Sequence, residues 1–351
     1  MAVSMIWEKE MNIRIGIICP SEIAFRRFLP ALQNIDEYEY IGVAVANAAE
    51  WAGEQDASSE KTKVALEKEY EKANQFVEQF GGIIFEGYEE MLKSDKIDAV
   101  YLPLPPALHH KWAKIALKNG KHVMIEKPST CCLNDTLELI ELAREKGLAL
   151  HENYMFVYHD QLKVLQDIID QGRIGDIRLY RINFGFPRRA EGDFRYNKAL
   201  GGGALLDCGG YTLKYASMLL GDSMKIVQAN LHSCDGFDVD IYGSAVCMND
   251  AGQTVQIGFG MDNQYQCSLE AWGSKGILKT GRVLTAPAGL VPKVEITCGM
   301  DTTIEELPAD DTFQKSLRMM LECIQNEQIR FQEYDLIQTQ AARVDEFKTL
   351  V

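Results

Sequence analysis

The chain has 351 residues, enough for two domains of ordinary size, with 46% hydrophobic and 25% charged residues as in globular proteins. A formal net charge of -15 argues against a nucleic-acid-binding surface, while leaving room for a local Lys/Arg pocket that receives a small anion. No apolar run approaches the roughly 20 residues of a membrane span, and the opening MAVSMIWEKE lacks the pattern of a signal peptide, reading as an extension ahead of a start at Met11.

Residues 12–18 form a β-rich apolar run, and a helix is expected over 22–33, bent or shortened by Pro30. A second strand at 40–46 completes a βαβ unit. Residues 48–62 are polar and irregular. In the helix over 62–80, Leu66, Tyr70, Ala73, Val77 and Phe80 share one face, and Gly81-Gly82 stop it. Strand 83–85, helix 87–93, strand 98–104, helix 107–119, strand 122–125, helix 134–146 and strand 148–150 follow. This alternation predicts a doubly wound α/β domain.

Beyond residue 152 the pattern changes. A helix over 160–171 precedes strands at 176–186, 225–234, 241–249, 253–260, 265–272 and 276–280, with a helix at 203–220 after the first of them. Strands in succession predict a mostly antiparallel sheet. Helices at 311–326 and 334–348 close the chain. Nine cysteines without a C-x-x-C pair, two of them adjacent at Cys131 and Cys132, suit reduced thiols in a cytoplasmic protein.

A dinucleotide-binding domain needs a glycine-rich turn after its first strand. Here the turn runs from Gly16 to Ala24 with Cys19 and Ser21 at the two phosphate-loop glycine positions, where a Cβ crowds the pyrophosphate or opposes positive φ. At the end of the second strand stands Asn47, neither the acid that binds a ribose diol nor the Arg that favours a 2′-phosphate. His109-His110 have no third ligand at suitable spacing, so no metal site is expected.

Three segments are more informative: LPLPPALHHKW (102–112), GKHVMIEKPST (120–130) and DFRYNKALGGGALLDCGGYTLKYASMLLG (193–221). Gly-Lys-His-Val followed by Glu-Lys-Pro, combined with GGGALLD and a strand-rich second half, resembles the glucose-fructose oxidoreductase/inositol dehydrogenase (Gfo/Idh/MocA) family from about residue 12 to the end. The resemblance implies a Rossmann domain over 11–151 and an α+β domain over 152–351 with a large open sheet that often mediates assembly into a dimer or tetramer. It implies NAD or NADP bound by Gly16, Cys19, Ser21, Glu22, Ile23, Asn47, Leu104, Pro105, His109, Glu126 and Lys127. Lys127, in a peptide with Pro128 that is often cis in the family, would contact a carbohydrate substrate near the nicotinamide. Asp207 and Tyr211 lie four apart on one helix face. Tyr211 would exchange the substrate proton, its pKa brought down by Lys127, and Asp207 would orient Lys127 or a sugar hydroxyl.

Arg195, Tyr196, Asn153 and Tyr154 are further candidates for substrate contacts. The activity implied is hydride transfer between nicotinamide and a sugar, sugar derivative or nucleotide sugar. The altered phosphate loop motivates an alternative, a non-catalytic sugar or cofactor sensor on the same fold. A glycosidase that cycles a tightly held NAD is a third reading.

Overall fold

The computed structural model describes residues 12–53 and 57–351. The Met11 start and residues 54–56 of the polar stretch lie outside the described residues. The first half alternates strands and helices: β1 (Ile13–Ile18), a π-turn over Ala24–Phe28 running into α1 (Leu29–Leu32), β2 (Tyr38–Ala44), α2 (Ala48–Ala52), α3 (Glu60–Phe80), β3 (Ile83–Phe85) and α4 (Tyr88–Lys93). It continues with β4 (Ala99–Leu102), α5 (Pro106–Lys118), β5 (His122–Glu126), α6 (Leu133–Lys146) and β6 (Leu150–Asn153). The six strands pair in parallel in the order β3-β2-β1-β4-β5-β6, the doubly wound arrangement whose crevice opens at the carboxyl ends of the strands.

Several boundaries differ from expectation for local reasons. Pro30 has no N–H for the preceding turn, and the helix that starts at Glu22 passes through a π-turn before it. β4 stops at Leu102 because Pro103 cannot donate to a ladder. Residues 48–52, expected to be irregular, form α2, because Asn47 and Glu50 cap it reciprocally. The strand expected at 148–150 runs instead over Leu150–Asn153.

In the second half, α7 (Asp160–Asp170) leads to β7 (Ile177–Gly185). A π-turn over Leu205–Gly209 opens into α8 (Gly210–Leu220). Then come β8 (Lys225–His232), β9 (Tyr242–Met248), β10 (Thr254–Gly260), β11 (Gln266–Gly273), β12 (Gly276–Gly281), β13 (Lys293–Cys298) and β14 (Asp301–Glu306). The eight strands form one sheet, β14-β13-β12-β11-β7-β10-β9-β8, antiparallel except where β7 and β10 run parallel. β13 and β14 were not anticipated: they close the edge, and β14 (DTTIEE) is exposed, without the alternation of a half-buried strand.

The last two helices, α9 (Thr312–Gln325) and α10 (Glu327–Thr349), return to the first domain. α10 begins at Glu327 rather than 334, capped by Asn326. Phe313, Leu317 and Met320 are buried with Phe28 and Tyr101 on one side of the parallel sheet, and Tyr334 and Ile337 with Leu139 and Ile140 on the other. Val344 and Phe347, further along α10, enter the core of the second domain. The C-terminal helices thus bury apolar faces against both halves, and residues after 152 do not all belong with the second sheet.

Candidate active site

The turn after β5 places Lys127 at the carboxyl edge of the parallel sheet, and the Lys127–Pro128 peptide is cis. The ammonium crosses to the second domain. It donates to Asp207 Oδ1 at 2.6 Å and to the Asp207 carbonyl at 2.9 Å, with side-chain exposures of only 11% and 12%. Asp207 Oδ2 accepts from Arg195 Nε at 2.7 Å, and Arg195 in turn lies 3.2 Å from Asp193. One carboxylate is thus held between two cations. Burial alone would raise its pKa, but the charges and hydrogen bonds of Lys127 and Arg195 win and hold it well below the usual range. The same surroundings push the Arg195 guanidinium up against its burial. Two of the three ammonium protons of Lys127 are committed to Asp207, leaving one for a ligand.

Lys127 Nζ lies 5.0 Å from the centre of the Tyr211 ring, over its face. Tyr154, Phe156 and Phe184 pack round that ring with centroids 5.1, 5.7 and 5.2 Å away. Among the described residues the Tyr211 hydroxyl has no hydrogen-bond partner. The expected lowering of its pKa is overturned. Burial, then the carboxylates of Glu126 and Asp207, push it well above its ordinary value, and Lys127 meets the ring rather than the oxygen. The phenol therefore keeps its proton, which suits a donor better than a base.

On the dinucleotide side, Cys19 adopts φ 79, the left-handed conformation a glycine would supply. Its thiol is pushed up to about 12 by burial and stays neutral. Ser21 Oγ accepts from Ala24 N at 3.2 Å, and among the described residues the N–H groups of Glu22 and Ile23 have no acceptor. They are the donors that a helix N-terminus offers to a phosphate. The loop has thus kept its backbone shape without its glycines. Gly16 serves packing instead: a Cβ there would come 2.6 Å from Met91 Sδ, where α4 crosses β1.

Asn47 spends its carbonyl on Ala49 N and Glu50 N, so only its amide nitrogen is left to face a ribose. Glu50 is spent as well, accepting from Asn47, Tyr88 and Glu89. Leu104 is buried and Pro105 half-buried. His109 is fully buried, its ring nitrogens 2.7 and 2.8 Å from the carbonyls of Leu104 and Pro128, tying the end of β4 to the Lys127 turn. Burial brings its pKa down to about 4 although both carbonyls oppose this.

Three expected substrate contacts are placed elsewhere. Asn153 is fully buried, giving its amide to Glu126 and accepting from Ser316. Tyr154 is buried beneath Tyr211. The Tyr196 hydroxyl donates to the Met261 carbonyl and accepts from Arg189 N, holding the segment that carries Arg195. Tyr101, which donates to Glu126 at 2.6 Å, and Asp193 were missed. Asp193, two residues before Arg195, was within reach of a charge-pair reading, whereas Tyr101 looks like any apolar strand residue.

Residues 25–154 match an oxidoreductase family with an NAD-binding Rossmann fold, and residues 162–279 match the GFO/IDH/MocA C-terminal domain. Over 312 residues the chain is 38% identical to dTDP-3,4-didehydro-2,6-dideoxy-alpha-D-glucose 3-reductase of Actinomadura kijaniata, covering 89% of this chain and 87% of that one. It is likewise 38% identical to the enzyme of that name from Streptomyces violaceoruber, with 89% and 85% covered. The crystal structure of KijD10, a 3-ketoreductase from Actinomadura kijaniata in complex with NADP and TDP-benzene, superposes with a TM-score of 0.86 at 37% identity, over 96% of this chain and 97% of that one. An aldose-aldose oxidoreductase from Caulobacter crescentus shares the fold at 19% identity, with a TM-score of 0.74 over 95% of this chain and 98% of that one. The chain belongs to the Gfo/Idh/MocA family of oxidoreductases.

Proposed function

We propose that this protein is an NADP(H)-dependent ketoreductase acting on the 3-keto group of a dTDP-linked deoxysugar. The observation that carries the reading is the site itself: a lysine with one free ammonium proton beside a tyrosine that keeps its own, at the carboxyl edge of a dinucleotide-binding sheet. The relatives support the substrate class. Solved forms of KijD10 also include a lysine-to-alanine and a tyrosine-to-phenylalanine variant, and those two residues stand as far apart in that sequence as Lys127 and Tyr211 do here.

The dinucleotide, when bound, supplies the hydride. Glu22 and Ile23 N–H would hold its pyrophosphate, and Leu104, Pro105 and His109 would wall its nicotinamide end. Asn47 offers a donor and no carboxylate, which favours the 2′-phosphate of NADP over a bare ribose diol. Lys127 holds the substrate carbonyl oxygen by a hydrogen bond from its remaining N–H, keeping that proton and drawing electron density from the carbon that accepts hydride. Tyr211 then passes its phenolic proton to the same oxygen. Asp207 and Arg195 fix where the ammonium points. Arg188 and Arg189, exposed on the segment before Arg195, supply local positive charge for a sugar-linked diphosphate in a chain of net charge -15.

The test is NADPH consumption by the purified protein on dTDP-3,4-didehydro-2,6-dideoxyglucose, with product identified by mass spectrometry. Turnover that collapses in Lys127→Ala and Tyr211→Phe supports the reading. NADPH binding by calorimetry without any turnover on this sugar would remove the substrate assignment, and absence of NADPH binding would remove the enzyme.

A further inference from the structure

Behind the reaction centre, a run of buried polar side chains leads from Glu126 to the C-terminal helices. Glu126 Oε1 accepts from Asn153 Nδ2 at 2.6 Å, and Asn153 Oδ1 accepts from Ser316 Oγ at 2.8 Å. Ser316 Oγ lies 2.8 Å from His151 Nε2, and His151 Nδ1 lies 2.8 Å from Glu333, off the line of a straight hydrogen bond. Asn153, Ser316 and His151 are fully buried and Glu333 is 6% exposed. Four elements contribute: β5 gives Glu126, β6 gives His151 and Asn153, α9 gives Ser316 and α10 gives Glu333. His151 and Asn153 are two apart on a strand and point to one face. α9 lays Ser316 between them.

The proton positions along this run follow from chemistry. Asn153 gives Nδ2 to Glu126 and keeps Oδ1 for Ser316, while burial raises the Glu126 pKa against the hydrogen bonds it accepts from Tyr101 and Asn153. Ser316 has one proton, given to Asn153, so it accepts from His151 and Nε2 carries a hydrogen. Nδ1 then faces the Glu333 carboxylate at 2.8 Å, off the line of a hydrogen bond. Burial alone would raise Glu333, but the charge of His151 overcomes it and holds the carboxylate below its ordinary value. His151 therefore donates to Ser316 through Nε2 and lies against the Glu333 carboxylate through Nδ1. Cys323 also faces this pair, and Lys214 acts on Glu333 at longer range. The ligand atoms of His151, Cys323 and Glu333 all lie within 4.8 Å of one another.

We propose that the His151–Glu333 pair is a remote positioning device for the reaction centre, setting the donor direction of Ser316 and Asn153 and so the placement of Glu126 beside Lys127. Each member is expensive to bury unless satisfied, and a satisfied chain of this kind admits one orientation. If His151 lost its proton on Nε2, Ser316 would turn round and Asn153 would present the wrong end of its amide to Glu126. None of the four residues beyond Glu126 touches the substrate cleft. Their effect on rate comes through the carboxylate that Asn153 and Tyr101 hold together.

The role in turnover rests on the ketoreductase reading, so the test has a readout that does not. Histidine 15N NMR of the full chain should show His151 Nε2 protonated, and Glu333→Leu should shift the Nδ1 resonance while Nε2 keeps its proton. An unprotonated Nε2 in the wild type would overturn the proposal whatever the substrate. In steady-state kinetics with NADPH and the keto-sugar, Ser316→Ala should lower kcat roughly tenfold or more with KM little changed, as small misplacements of a reacting group do. Ser316→Thr, which keeps the hydroxyl, should recover most of the loss. Equal kcat in Ser316→Ala and wild type, with only the melting temperature lowered, would show packing and nothing more. No wild-type turnover would remove the substrate assignment and leave the NMR result standing.

Discussion

The cleft of this protein is built by opposite means at its two ends. Around Lys127, side chains do the work: an ammonium, a carboxylate and a guanidinium are held within 2.7 Å contacts, and each depends on its own chemistry. At the phosphate loop the backbone does the work. Cys19 bends to φ 79 and Ser21 caps the helix, while the groups offered to a ligand are the main-chain N–H of Glu22 and Ile23. Side-chain chemistry cannot be exchanged without loss. Backbone shape can be reached by more than one sequence, which is why a loop without its glycines still offers donors at a helix N-terminus.

The largest effect should come from breaking the charge cluster. Asp207→Ala leaves Lys127 and Arg195 buried without their common partner, which costs about 3–5 kcal/mol of stability where a buried pair is broken on one side. kcat should fall by roughly a thousandfold, and urea denaturation with single-turnover kinetics would separate the two effects. The pH dependence has a definite sign. Because the folded pKa of Asp207 is depressed, its contribution is fully present above the unfolded value near 3.9 and is lost only as pH falls through the lower folded one. Asp207 should stay ionised across mild acid, so weakening near pH 5 must come from other groups.

Tyr211→Phe should act on rate alone. Among the described residues the hydroxyl has no partner to lose, so melting should stay close to wild type while kcat falls by about a hundredfold or more, the usual contribution of a positioned proton donor. Since the phenol is held well above its ordinary value, the kcat profile should show no downturn from tyrosine ionisation up to about pH 10. An alkaline limb near neutrality that disappears in Tyr211→Phe would contradict this.

His109 supplies a pH effect outside the charge cluster. Its folded pKa of about 4 lies below the unfolded 6.5, so the unfolded chain takes up the proton first. Stability should therefore decline as pH falls from about 6.5 to about 4, by roughly 3 kcal/mol from this residue. His109→Gln should flatten that window in denaturation curves taken at several pH values. A slope unchanged by the substitution would assign the loss to His122, which burial also brings down to about 4.

Legibility in the sequence divides along the same line. The alternation of strands and helices to residue 150 is a side-chain pattern that can be read locally, whereas the Glu126-Lys127-Pro128 turn and the Asp207/Tyr211 pair stand out through the family resemblance. What escaped reading was cooperative. α2 exists because Asn47 and Glu50 cap each other, β14 because its partner supplies a ladder, and the long-range fit of α9 against Phe28 and Tyr101 has no local mark. The Asn153 amide suits a sugar, but nothing local marks that Ser316, 163 positions away, claims its oxygen. The lowered pKa expected of Tyr211 assumed that Lys127 would sit by the hydroxyl, and proximity in a motif does not say which part of a ring a charge will meet.

The smallest effect is the sharpest probe of the backbone half of the comparison. Cys19→Gly removes a left-handed Cβ penalty of about 1–2 kcal/mol but returns up to about 1 kcal/mol to the flexibility of the unfolded chain. The melting temperature should therefore move by only a few degrees, and NADPH affinity by calorimetry should stay within about threefold, since the N–H groups of Glu22 and Ile23 are unchanged. Cys19→Val makes the opposite case: a β-branched residue resists positive φ, so the loop must relax or strain, and affinity should drop with stability. If glycine tightened NADPH binding tenfold while valine did no harm, the side chain rather than the backbone would govern this end of the cleft, and the contrast with Lys127 would fail.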